Sequence, residues 1–320
     1  MKGSIDRRIL MVVAGVVALI VLVVLLLPGP AEDIDGDRLV VAVTLLPQAG
    51  FVEAIGGDKV DVVVMVPPGY SAHFYEERPG LMIKLSRARM YAMVGSGVEF
   101  ELAGMEKLKA VSQAMLVVDC SQGIQLRDMD EHHHDDDEHH HDDEEQHRDD
   151  DEHDHQDHSG PDPHIWLSVR NAIIMVQNIC AGLVQVDPVN KDYYEQNCAD
   201  YLDKLSQLDE EIAVSLAGVE NRRFIVFHPA WGYFAHDYDL IQIAVEQGGK
   251  EPDPQYQMRL IDEAREHDIR VIFVSPQFAT KSAEVIARAI GGEVVIINPL
   301  AKDFLDNMRA VASAMKQAMR

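Results

Sequence analysis

The residues best equipped for chemistry in this chain are its fifteen histidines, and they fall into two unequal sets. Ten lie between His132 and His158, interleaved with aspartate and glutamate: His132, His133, His134, His139, His140, His141, His147, His153, His155 and His158. The other five, His73, His164, His228, His236 and His267, are spread through ordinary globular sequence. Neutral imidazole and carboxylate both ligate divalent cations, imidazole suiting borderline ions such as zinc. The dense set can hold several ions loosely, but a segment this charged cannot bury apolar area and is expected to be disordered without metal. Each of its sites must then bear the entropy of ordering the chain, which weakens it against a preformed cleft. A solubilising spacer is the other reading of the tract, although solvation alone has no use for histidine.

Three of the scattered histidines stand at the edges of predicted elements beside proline. His73 lies in "VPPGYSAHFYEE", beyond the end of a strand; His228 lies in "FIVFHPAWGYF", where another strand ends; His164, in "DPHIW", precedes a helix. In open parallel sheets, ligands collect at the carboxyl ends of strands. Such histidines from two sheets and their junction can therefore converge on a cleft. His236 and His267 read as solvated or hydrogen-bonded side chains, "REHDI" being a polar helix end.

The elements that must position these residues alternate. "RLVVAVTLLP" (Arg38–Pro47), "DKVDVVVMVPPG" (Asp58–Gly69), "ARMYAMVGSG" (Ala88–Gly97) and "KAVSQAMLVVDC" (Lys109–Cys120) read as buried strands, with helices such as "QAGFVEAIGG" and "GLMIKLSRA" between them. Past the tract, "SVRNAIIMVQNICAGLVQVDP" is an amphipathic helix stopped at Asp187-Pro188. Pro188 to about Leu216 is a long helix, with Tyr194, Cys198, Tyr201, Leu205, Leu208 and Ile212 recurring at helical intervals. Alternation then resumes through "RRFIVFHPA", "IQIAVEQG", "IRVIFVSP" and "GEVVIINPL", each followed by a helical stretch. The fold class is α/β: two lobes, each a parallel β-sheet with flanking helices, joined by one long helix. The expected boundaries are 38–187 for the first lobe (with a disordered loop at 128–160), 188–218 for the linking helix and 219–320 for the second lobe. No internal repeat stands out.

Charge and the N-terminus set the surroundings. Of the chain's net −26, the stretch Asp128–Asp162 carries 18 acids against the single base Arg148, so acidity belongs mostly to the tract. That balance repels nucleic acid and favours cations. Residues 1–37 read as a membrane anchor or signal with its linker: Lys2, Arg7 and Arg8 precede 19 uncharged apolar residues, Ile9–Leu27. That run exceeds the ~7–15 residues of an ordinary signal-peptide core. "PGPAED" is a poor cleavage site, so an uncleaved anchor with an exported body is expected, cleavage being the alternative. Cys120, Cys180 and Cys198 have no metal-ligand spacing; Cys180–Cys198 is the nearer pair for a disulfide, and at least one buried thiol is expected.

Taken together, "PPGYSAHFYE", the histidine-rich insertion, "DPHIWLS", "DP…YYEQN…YLDKLSQLD", "FHPAWGYFA", "VIFVSPQF" and "INPL" are specific, and they run from about Arg38 to the end. In them the chain resembles the zinc-uptake solute-binding proteins of ABC transporters, a metal-specific group with two lobes joined by a rigid helix. The resemblance implies that His73, His164 and His228 ligate the metal. Manganese members resemble one another in placing a carboxylate at the third position, so His228 implies zinc, in keeping with imidazole's preference. Two positions depart from the family: Asn298 stands where aspartate is usual, and Ser275 where glutamate is usual. An uncompensated dication in a partly dry cleft is costly. Glu76, a water or a hydroxide is therefore expected to complete the shell, with Asn298 ligating weakly or holding the water.

The function so implied is capture of extracytoplasmic Zn2+ as transported ligand and its delivery to a membrane ABC permease. The protein would be a monomer, in the periplasm or at the cell surface, anchored by residues 9–27, with the tract as a low-affinity metal-gathering loop and only a small tilt of the lobes on release. It would not be an enzyme. Two alternatives have their own chemistry: zinc storage or buffering through the tract, and a hydrolase using water on a three-histidine zinc. The second lacks H-E-x-x-H and an evident general base.

Overall fold

Apolar runs too short for a helix and buried along their whole length make the first strand, β1 (Leu39–Val43), whose five residues are all buried. Pro47, whose missing amide is harmless at a helix start, lies in the first turn of α1 (Leu46–Gly56). The strand expected over Arg38–Pro47 is therefore half its expected length. The computed structural model describes residues 38–75, 79–111, 114–129, 160–278 and 281–319. The expected N-terminal anchor, Glu76 and the ten tract histidines lie outside them.

The first sheet continues with β2 (Val60–Val64), β3 (Met90–Met93) and β4 (Leu116–Asp119), and α2 (Pro79–Leu85) and α3 (Glu99–Val111) lie between them in the chain. The Lys109–Cys120 strand is corrected here: its first residues end α3, and only Leu116–Asp119 pairs with β3. Helix α3 was missed because "GVEFELAGMEKLKA" carries a weak apolar stripe among its charges. After the tract come α4 (Val169–Val186) and α5 (Lys191–Leu216), separated by a short 3-10 turn at Pro188–Asn190. The second sheet is β5 (Arg223–Val226), β6 (Ile241–Ala244), β7 (Val271–Val274) and β8 (Glu293–Ile296), with α6 (Gly232–Asp237), α7 (Pro254–Glu266), α8 (Lys281–Ile290) and, last, α9 (Phe304–Ala318).

Both sheets are wholly parallel and have one spatial order, β2-β1-β3-β4 and β6-β5-β7-β8. The repeat that the sequence hides is thus a repeat of topology. In each, the first strand lies between the second and the third, so the crevice where the connections diverge opens at its carboxyl end.

Helix α5, about 39 Å long at 1.5 Å per residue, ties the lobes together. It packs on α1 and α4 of the first lobe and on α9 of the second. Tyr194, Cys198, Leu205, Leu208, Ile212 and Leu216 are its buried face. Each fully buried leucine or isoleucine is worth about 1.5–3 kcal/mol. Tyr201 stays half-buried and meets Phe51 of α1, which also packs edge-on against Phe304 at 5.1 Å, so the lobes touch directly beside the helix. Gly50 permits this approach: a β-carbon there would lie 2.3 Å from the Lys302 carbonyl oxygen. Asp37–Arg320 accordingly form one unit. All three cysteines are buried free thiols, so Cys180 and Cys198, between α4 and α5, carry no disulfide.

Candidate metal centre

His73, His164 and His228 come from three separate places and meet at one point. His73 rides the loop after β2, where Gly69 takes φ 84° and the Tyr70 amide donates to the Pro67 carbonyl. That loop is pinned by buried Ala72 and Tyr75, the latter against Tyr70 and Phe100. His164 precedes a 3-10 turn, Ile165–Leu167, all buried. Its segment is stitched on both sides: Ser96 donates to the Pro163 carbonyl at 2.5 Å, and the Trp166 indole to the Pro299 carbonyl at 2.8 Å. His228 follows β5 by two residues and lies against Phe278, whose ring stacks on it at 4.7 Å.

The three Nε2 atoms form a triangle with sides of 3.1, 3.2 and 3.3 Å. Each Nδ1 has a carboxylate partner: Glu99 for His73 at 2.7 Å, Asp162 for His164 at 2.7 Å and Glu246 for His228 at 2.5 Å. A carboxylate only accepts, so each Nδ1 carries the hydrogen and each neutral ring turns an Nε2 lone pair inward. Three lone pairs so close repel unless a cation sits among them. Tetrahedral zinc with bonds of about 2.0–2.1 Å holds its ligand atoms about 3.3–3.4 Å apart, whereas neighbours on an octahedron of that bond length are about 2.8–3.0 Å apart. The triangle lies nearer the tetrahedral value.

Electrostatics agree. Burial, opposed by the Glu246 hydrogen bond and helped by the neighbouring His164 ring, pushes His228 down to about 4, so it is neutral and ready to ligate. Burial raises the Glu99 carboxyl, but the hydrogen bond from His73 opposes it, and Glu99 stays below its ordinary value. Carboxylates gripping ligand histidines fix the tautomer and raise ligand basicity. They also place three negative charges one bond beyond the imidazoles. Glu76 lies outside the described residues; among those described, Glu99, Asp162 and Glu246 are the carboxylates that reach the three histidines.

Those three carboxylates were missed in the sequence. Asp162, two residues before His164, had a signal: its Oδ1 also accepts the His164 amide at 2.9 Å, a local turn. Glu99 and Glu246 are 26 and 18 residues from their histidines and had none. Asn298, expected to ligate weakly or to hold a water, hydrogen-bonds Gln277, which lines the cavity of the three histidines. Its side-chain oxygen accepts from the Leu300 amide at 3.0 Å and from Gln277 at 3.2 Å, and it does not line the cavity of the three histidines. Ser275 is buried at the end of β7. His236 lies in α6 and His267 caps α7; neither joins the cluster.

Outward from the triangle, a cavity of 330 Å3 opens between His73, Glu99, His228, Glu246 and Met129, the last described residue before the tract.

Comparisons with known proteins identify the family. Residues 41–318 match the model of the family described as zinc-uptake complex component A, periplasmic. The high-affinity zinc uptake system protein ZnuA of Bacillus subtilis (strain 168) is 32% identical over 292 residues, 90% of this chain and 87% of its own length. A crystal structure of ZnuA superposes with a TM-score of 0.78 at 38% identity, covering 89% of this chain and 100% of that one. The structure of a ZnuA deletion mutant with zinc bound gives 0.76 at 38% identity, over 88% and 98% of the two chains. The chain belongs to the periplasmic zinc-uptake component A family: it is a solute-binding protein for zinc uptake, with Zn2+ as the transported ligand, and not an enzyme.

Proposed function

We propose that the chain captures Zn2+ between its lobes on His73, His164 and His228 and hands it to a membrane ABC permease. The observation that carries this reading is the triangle of Nε2 atoms, 3.1–3.3 Å on a side, with every Nδ1 held by a carboxylate. The direct contact of the lobes beside α5 favours release by a small tilt over a wide hinge closure. Residues 9–27 anchor the protein to the membrane, and the monomer is the working form. The tract gathers ions at the mouth: Met129, just before it, borders the outer cavity, and Asp128 pairs with Pro161 where the chain returns.

The test is zinc stoichiometry and affinity by competition with a chromophoric chelator. Deleting Glu131–His158 should remove several weak sites and leave one tight site within about twofold of the parent. Loss of the tight site on deletion, or its survival in His228→Ala, would overturn the reading.

A further inference from the structure

We propose that Gln277 positions the water expected at the ion's fourth place, by accepting its O–H. The inference rests on the three-histidine site and adds the group that completes it. Beside the histidines is a cavity of only 20 Å3, bordered by His73, His164, His228, Trp166, Gln277 and Phe278. A space that accepts one water needs about 10–15 Å3, so there is room for one.

The orientation of Gln277 is fixed by a short relay. The Leu300 amide can only donate, so the Asn298 oxygen must be the atom that receives it at 3.0 Å. That oxygen receives Gln277 Nε2–H as well, at 3.2 Å. Turning the Gln277 amide over would set two oxygens against each other. Its Oε1 is therefore the remaining atom, and it is buried with no donor among the described residues. A buried acceptor left without a donor is costly. A zinc-bound water is a strong donor that can satisfy it, and Asn298 acts by aiming Gln277.

The experiment loads the full chain with Co2+, whose four-coordinate complexes absorb strongly in the visible, and titrates with thiocyanate, an anion with no proton for Gln277. Zinc affinity is measured alongside for the parent, Gln277→Leu, Gln277→Glu and His228→Ala. The parent should show a four-coordinate spectrum that thiocyanate shifts only at high concentration. Gln277→Leu should keep that spectrum, respond at roughly tenfold lower thiocyanate, and bind zinc roughly five- to tenfold more weakly, the worth of one hydrogen bond. Gln277→Glu keeps an acceptor but loses the N–H given to Asn298, so it should regain only part of the parent's resistance. Identical behaviour of Gln277→Leu and the parent overturns the proposal. So does a parent spectrum that thiocyanate never moves, because a protein group then closes the fourth position. Tight zinc binding by His228→Ala is a different failure, that of the three-histidine site itself.

Discussion

The two lobes share a strand order but hold their histidines differently. In the second lobe, His228 stands two residues beyond β5, the strand at the crevice, and both it and Glu246 are shielded, with side chains 10% and 6% exposed. In the first lobe, His73 comes nine residues beyond β2, an edge strand, and its partner Glu99 is 47% exposed. The junction pair, His164 with Asp162, is the deepest, at 3% and 5%. The same topology therefore gives one pair preformed in a dry wall and one pair at the mouth, which an arriving ion meets first. A dry pair has no water to replace a lost partner; a wet one does.

That contrast can be broken at graded strength. The largest effect belongs to a missing ligand. A four-ligand zinc site worth about 10–16 kcal/mol gives about 3–4 kcal/mol per ligand, so His164→Ala or His228→Ala should weaken zinc several hundredfold in competition titrations. Next come the carboxylates. Glu246→Gln and Asp162→Asn can offer an N–H to the imidazole Nδ1, which moves the ring hydrogen to Nε2 and spoils the ligand; about ten- to hundredfold losses are expected. Glu99→Gln should cost less than either, because solvent reaches it. Equal losses at Glu99 and Glu246 in isothermal titration would show that burial does not rank the pairs. The smallest effect on zinc should come from Gly50→Ala, which drives a β-carbon against Lys302 where the lobes touch. The strain, about 1–3 kcal/mol, should lower the thermal midpoint by a few degrees while affinity changes less than fivefold. A larger loss of affinity would mean that lobe spacing sets the triangle.

The legible parts of the fold were those with strong periodicity. The apolar face of α5 and the strands of the second lobe could be read because burial enforces their pattern over many residues. Helix α3 was not, since its apolar residues make only a weak stripe among its charges, and the start of β4 was mistaken because α3 runs into the segment before it. The three histidines stood out by their places beside proline at element ends. Two of their three carboxylates did not, since Glu99 and Glu246 approach their partners only through the pairing of strands far apart in the chain.

The sequence by itself determined the α/β alternation, the long linking helix, the acidic histidine tract and the histidines able to ligate a borderline metal, because these depend on local pattern and side-chain chemistry. Only the tertiary structure decided which carboxylates reach the three histidines, that Asn298 meets Gln277, and that a small space lies beside the histidines. Those follow from distances between residues brought together by folding, and a distance of 3 Å across a cleft leaves no trace in local sequence.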